Sequence, residues 1–351
     1  MNLLKSLAAA TAATLLSTAA YADKIELHGA SQFDDNHPYT KSMVRFAELL
    51  QDYYTGEHEL SFVLHKNSEL GNEKDYVGFM NQGISVDYAV VSPSHMSTFS
   101  RAVTIADTPF LFRDVPHFEA AIEANVFAPL EEELKSTADL VLLGYGGGEK
   151  RHFFGTREVG SPEKLKGFRM RIQGSPIQTK IFSAIGAEPQ VISGGEVYNA
   201  IQTGVIEGAE NSANVFEALK WYEVGPEVTL STVAITVRPL VFSGKRFDSF
   251  DADLQDAIRQ AGAEAMAYER GLEISGDDAK MQDLVDAGKL RTYPFENREA
   301  MVAMAEPVKV EWAAEIGATT IKPSSVHNWS KSRPFELHLP MPCLPSAVQV
   351  S

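Results

Sequence analysis

The sequence predicts an α/β protein of two lobes, each a mixed, mostly parallel sheet flanked by helices, with a long helix bridging the two. Three observations carry that expectation. Between residues 24 and 211, short segments with apolar residues at period two alternate with segments at helical spacing, the pattern of a sheet wound with helices. The chain has 351 residues, more than one hydrophobic core of ordinary size serves, so division into two lobes follows. Beyond Asp251 an apolar stripe at Leu254, Ile258, Ala261, Ala265, Tyr268 and Leu272 repeats at spacings of three and four. It defines one helix of about 25 residues, roughly 35 to 40 Å long, enough to lie across both lobes.

The chain opens with MNLLKSLAAATAATLLSTAAYA, one lysine followed by an apolar, small-residue run and an Ala20-Tyr21-Ala22 cleavage pattern. Residues 1–22 therefore read as a signal peptide, with the mature protein starting at Asp23 and a periplasmic location. The run is too short and too alanine-rich to serve as an anchor. The full chain carries 31 Lys+Arg against 47 Asp+Glu, a formal net charge of −16. The leader holds one of those bases, Lys5, and no acid, so the mature chain is one unit more negative. Such an acidic surface excludes nucleic acid or an anionic membrane as partner and makes any anion site a local exception built from a few arginines. The single cysteine, Cys343, allows no disulfide within the chain, and the nine histidines form no ligand-spaced pair, so neither a metal nor a cofactor is expected.

KIELHGA, from Lys24, is the first strand, and the turn SQFDDNHP leads into a helix through Met43, Phe46, Leu49 and Leu50. Ligands in open α/β sheets gather beyond the carboxyl ends of strands, so Gln32 and His37 in that turn are site candidates. Asn36 and Pro38 are equally read as a helix cap and first turn. HELSFVLHK is a second strand, SELGNEKDYVGFMNQG a helix with Glu73 in its first turn, and VDYAVVS a third strand ending at Ser92. LVLLGYGGG follows, and its Gly146-Gly147-Gly148 lacks the residues of a phosphate loop. It is read as a flexible crossover between lobes. EKRHFFGTR then places Arg151 and Phe153 on one face of a strand and His152 and Phe154 on the other.

Residues 167–211 form a strand, helix, strand, helix unit. Its first strand sets Phe168, Met170 and Ile172 on one side and Arg169, Arg171 and Gln173 on the other, which brings guanidiniums beside a core strand. WYEVGPEVTLSTVAITVRPLVFSGKRF supplies strand material returning to the first lobe, from which Thr236 and Arg238 reach toward the crevice. REAMVAMAEPVKVEWAAEIG is a last helix, which Pro307 is expected to kink. After Ala318 the prolines at 323, 334, 340, 342 and 345 erase any period, so the tail 318–351 is expected to be disordered.

Three segments, KLKGFRMRI (164–172), GEVYNAIQTGVIEGAEN (195–211) and LGNE (70–73) with GISVDYAVVS after it, together resemble the solute-binding proteins of tripartite ATP-independent periplasmic (TRAP) transporters. The resemblance covers residues 23 to 317 and implies a periplasmic-binding-protein fold. It implies lobe one over 23–147, lobe two over 148–235, and returning strand and bridging helices over 236–317. It also implies a receptor, not an enzyme, that delivers a small organic acid to small and large membrane subunits driven by an ion gradient. The receptor is expected to be a monomer.

By the same resemblance Arg171 is the arginine that grips the ligand carboxylate, and Asn211 donates a further hydrogen bond to it. Arg151 is a second cleft arginine, and Glu73 and Ser92 take cleft positions. A guanidinium suits this task because its planar fork gives two parallel, charge-assisted hydrogen bonds to one carboxylate. Many members carry an aromatic residue where this chain has Gly194, so that wall is open here, and Tyr198, Phe33 or Phe110 is expected to replace it. A sugar acid such as a hexuronate or aldonate, or a hydroxy or dicarboxylic acid, satisfies these groups. Two other readings exist: a periplasmic enzyme acting on an acidic sugar through Glu73, Glu196 and Glu210 as paired carboxylates, and an ATP-driven transporter's receptor for a neutral polyol.

Overall fold

The computed structural model describes residues 24–317. The expected signal peptide and the tail 318–351, with Cys343, lie outside the described residues. The strands are β1 (Lys24–Ala30), β2 (Glu59–His65), β3 (Tyr88–Val90), β4 (Leu140–Gly155), β5 (Arg169–Ile172), β6 (Glu188–Val191), β7 (Gly208–Asn211), β8 (Glu227–Ser243) and β9 (Arg291–Pro294). They form one sheet in the order β2-β1-β3-β8-β4-β7-β5-β6, with β9 added on β8. β1 is parallel to β2 and β3, and β5 is parallel to β6 and β7, as expected of strands joined through helices. This is the mixed α/β fold of two lobes, with the sheets of the lobes joined.

The join is made by β4 and β8, which run antiparallel and are long enough to belong to both lobes. Leu140–Gly147 of β4 pairs with the second part of β8, beside β3, whereas Lys150–Gly155 pairs with its first part, beside β7 and β9. Residues 140–148 and 149–157, expected as two strands with a glycine crossover, are thus one continuous strand that carries a register shift between Gly147 and Lys150. Gly147 and Gly148 have φ of 110° and 124°. A Cβ on Gly147 would stand 2.1 Å from the Thr236 carbonyl oxygen, so only glycine passes here.

That irregularity leaves backbone N–H groups without strand partners, and the long helix supplies the acceptors. The helix spans Ala252–Asp286, 35 residues, longer than expected. Leu254, Ile258, Ala261 and Ala265 face the core, but the stripe then continues at Glu269, Glu273 and Asp277. Tyr268 is 42 % exposed and Leu272 half-buried. The carboxylates, four residues apart, take the N–H groups of β4 in turn: Gly147 to Glu269 Oε2 (2.6 Å), Glu149 to Glu273 Oε2 (3.2 Å) and Lys150 to Asp277 Oδ2 (3.1 Å). Thr236 Oγ1 accepts from the N–H groups of Gly148 and Glu149 and donates to Glu273 Oε2. Thr236 therefore braces the lobe junction and is not in the crevice.

Burial pushes the Glu269 carboxyl up to about 7, and burial together with the neighbouring acids pushes Glu149 and Glu273 well above the usual range. The folded protein thus holds protons that the unfolded chain releases above pH 4.5, so stability is lost as pH rises through the folded values. His37 and His152, held neutral by burial, contribute only below about pH 6.5. Between pH 6.5 and 8.5 the melting temperature is expected to fall, and Glu269→Gln, which keeps an acceptor for Gly147, is expected to flatten that fall. A slope unchanged in the variant, measured by calorimetry, contradicts this assignment.

Candidate functional site

The carboxyl ends of β1, β5, β6 and β7 point to one cleft, and a cavity of about 260 Å³ lies there. One wall is Gln32, Phe33 and Tyr39 after β1, then Asn72 and Glu73 at a helix start, then Ser94 and His95. The other is Arg171 on β5 with Gln173 just after it, Ile192 to Gly194 after β6, Asn211 at the end of β7, and the apolar Val215, Leu219 and Trp221. Arg238 on β8 and Lys74, next to Glu73, also line the cavity. The four-residue strands β5 and β7 end at the cleft where polar residues follow at once, Gln173 and Gly174 after β5 and Ser212 after β7.

Arg171 is 3 % exposed. Its Nε donates to the Ile192 carbonyl at 2.7 Å, and its terminal N–H groups have no acceptor among the described residues. Burial and the nearby Arg151 lower its affinity for the proton, to a pKa of about 10. The group is still charged at neutral pH, yet nothing anionic is bonded to it. A Cβ on Gly194 would meet only the Arg171 Nη2, at 3.8 Å, so the space beside the fork is open.

Arg151 does not line the cavity. It lies behind Asn211, with Nε and Nη2 on the two oxygens of Glu210 at 2.6 and 2.9 Å, a bidentate pair of which neither side chain is more than 2 % exposed. Its Nη1 donates to Asn211 Oδ1 at 2.8 Å, and the Ser212 N–H donates to the same oxygen. Arginine only donates, so this contact fixes the amide's orientation and leaves the Nδ2 hydrogens of Asn211 without a partner among the described residues.

Glu73 is the acceptor of the opposite wall. Its Oε2 takes the Ser92 N–H (2.6 Å) and His95 Nδ1 (2.9 Å), and its Oε1 takes Gln32 Nε2 (3.2 Å). Burial alone would raise its pKa, but His95, Arg238 and the Ser92 N–H outweigh it and bring it down to about 2. Ser92 itself is fully buried, with Oγ on Asp107 at 2.7 Å, and acts through Glu73 without reaching the cavity.

The expectations therefore divide. Arg171, Asn211, Glu73, Gln32 and Gly194 meet at one cavity; Arg151, Ser92, His37 and Tyr198 do not line it. His37 is the helix N-cap, stacked on Phe33 at 3.7 Å and accepting from the Tyr39 N–H. Tyr198 bonds Glu223. Of the residues expected to fill the wall beside Gly194, Phe33 lines the cavity and Phe110 is in the core of the second lobe. The three carboxylates of the enzyme reading separate: Glu73 is in the cavity, Glu196 caps Ser193, and Glu210 is consumed by Arg151. Tyr39, His95, Gln173 and Trp221 were not singled out from the sequence. Arg238, expected to reach toward the crevice, does line the cavity.

A cleft between two α/β lobes, lined by a charged guanidinium with no anion bonded to it, is the site of a receptor for small acids. The chain belongs to the DctP family, bacterial extracellular solute-binding protein family 7, which matches residues 29–315. A solute-binding protein of Sulfitobacter sp. strain NAS-14.1 is 48 % identical over 313 residues, covering 89 % of this chain and 94 % of that protein. A crystal structure of a TRAP periplasmic solute-binding protein from Sulfitobacter sp. NAS-14.1, with bound α-D-taluronate, superposes with a TM-score of 0.82 at 48 % identity, over 84 % of this chain and 95 % of that one. One from Citrobacter koseri with bound D-glucuronate gives 0.77 at 25 % identity, over 83 % and 96 %.

Removing the Arg151 side chain as Arg151→Met leaves Glu210 buried and unpaired, a loss of about 3 to 5 kcal/mol. Urea denaturation of the variant should show that drop, and a loss under 1 kcal/mol would mean that the pair is not desolvated as described.

Proposed function

We propose that this protein is the periplasmic receptor of a TRAP transporter and that its ligand is a hexuronate. The observation that carries this is Arg171, buried and charged with its terminal N–H groups unbonded, beside Asn211, whose amide is held with its donors free. A carboxylate completes both at once. Arg151 and Ser92 then act as positioning residues for Asn211 and Glu73, while Gln32 and Glu73 address hydroxyl groups. The cavity of about 260 Å³ accommodates a six-carbon sugar acid, and the taluronate and glucuronate seen in similar receptors support that class. The lobes, proposed as 23–147 and 148–235 with 236–317 shared, close on the ligand, and the closed form docks on the small and large membrane subunits as a monomer.

The test is a thermal-shift titration of the mature protein with D-taluronate, D-galacturonate and D-glucuronate, with Arg171→Ala alongside. A ligand at 100 times its dissociation constant adds about 2.7 kcal/mol to stability. At least one acid should raise the melting temperature of the wild type, and Arg171→Ala should lose roughly 2 to 5 kcal/mol of binding. A response of Arg171→Ala equal to the wild type overturns the carboxylate clamp. A response to neutral polyols alone overturns the hexuronate reading.

A further inference from the structure

The groups proposed for the ligand carboxylate are donors: the terminal N–H groups of Arg171 and Asn211 Nδ2. The hydroxyl groups of a sugar acid make a further demand, because each of them also donates and needs an acceptor. Most side-chain acceptors on the cavity lining are already taken. Asn211 Oδ1 takes Arg151 and the Ser212 N–H, Gln173 Oε1 takes Ser92 Oγ (3.2 Å) and Gln178 Nε2 (3.4 Å), and Asn72 Oδ1 takes the Lys74 N–H. Lys74, Arg171 and Arg238, the cations of the lining, bring donors only.

Two acceptors beside Glu73 are different, and Glu73 decides how each is turned. Glu73 is buried and ionised, so it can only accept. Its Oε1 takes a hydrogen of Gln32 Nε2 (3.2 Å), which fixes the amide with Gln32 Oε1 on the other arm. Its Oε2 takes His95 Nδ1 (2.9 Å), so in the neutral imidazole the proton is on Nδ1 and Nε2 carries the lone pair. The Ser92 N–H on the same oxygen holds the carboxylate in place. Gln32 Oε1 and His95 Nε2 bond nothing among the described residues, neither is closed off by protein, and both residues line the cavity.

We propose that Gln32 Oε1 and His95 Nε2 accept hydroxyl hydrogens of the ligand, and that Glu73 is the positioning residue that turns both acceptors to the cavity. The inference rests on the hexuronate reading of the same cavity and deepens it. The ligand carboxylate uses the donors of Arg171 and Asn211, and its hydroxyls use acceptors that Glu73 creates by holding one hydrogen of each neighbour. His95 in this form requires a hydroxyl, since a carbonyl or carboxylate oxygen there sets lone pair against lone pair.

The test joins calorimetry to nuclear magnetic resonance, both at about pH 8, above the ordinary histidine range. The purified protein is titrated with D-taluronate, D-galacturonate and D-glucuronate, then with the monodeoxy acids of whichever binds most tightly. His95→Phe keeps a ring and loses both nitrogens, and should weaken the parent acid about five- to tenfold. For one monodeoxy acid, wild type and His95→Phe should bind within about twofold of each other, because the hydroxyl that met Nε2 is gone. Proton–nitrogen correlation spectra, with the His95 signal identified by its loss in His95→Phe, should show the free protein protonated on Nδ1 and Nε2 shifting when the acid binds. Glu73→Ala lifts the constraint and should move proton occupancy to Nε2; if that variant fails to fold, the wild-type spectrum decides. A wild-type proton on Nε2 overturns this inference while the hexuronate reading stands. So does His95→Phe binding the parent as tightly as wild type, or weakening every monodeoxy acid as much as the parent. If the wild type binds none of the three hexuronates, that reading falls and this inference falls with it.

Discussion

A guanidinium set in a cleft with no anion bonded to it is the constraint on which the rest of this structure depends. Arg171 is buried at the end of a four-residue strand, and its one protein acceptor is a backbone carbonyl. Leaving a charge in that state costs free energy that the fold must supply elsewhere. The surroundings keep it so: the nearest strong carboxylate, Glu210, is taken by Arg151 through two hydrogen bonds, and Glu73 is turned toward Ser92, His95 and Gln32. The chain as a whole is acidic, yet its carboxylates are withheld from this one position. A ligand carboxylate supplies what the protein does not.

The same reasoning in reverse explains the lobe junction. There the protein has N–H groups in excess, created by the bulge at Gly147 and Gly148, and it answers with Glu269, Glu273 and Asp277 from the long helix. Crowding buried acids at the junction favours their protonated forms. Thr236 ties the two strands and the helix at one hydroxyl. Both regions are built from short-range satisfaction of buried polar groups, one complete within the chain and the other left open for a partner.

Local pattern revealed the parts of this arrangement that are local. The alternation in KLKGFRMRI placed Arg171 on the face away from Met170 and Ile172, and the strand β1 and the start of the helix at Glu73 fell where expected. What local pattern lacks is which strand lies beside which. Arg151 and Ser92 were expected in the cleft and stand one layer behind it, because the pairing of β4 with β7 sets Arg151 against Glu210 and Asn211. His37 was judged by its place beyond a strand end, and the need of the following helix for a cap took it instead. In the long helix the apolar stripe was carried on through Tyr268 and Leu272 and the buried acids were missed, since the unpaired N–H groups of a strand far away in sequence cannot be seen from the helix. Of the pair Thr236 and Arg238, both expected to reach toward the crevice, only Arg238 lines it.

The most direct measurement is a crystal structure of the protein with its preferred hexuronate. The account predicts both ligand carboxylate oxygens at about 2.7 to 3.0 Å from the terminal nitrogens of Arg171, with Asn211 Nδ2 bonded to one of them. A carboxylate seated on Arg238, or a ligand that leaves the Arg171 fork unbonded, would contradict it.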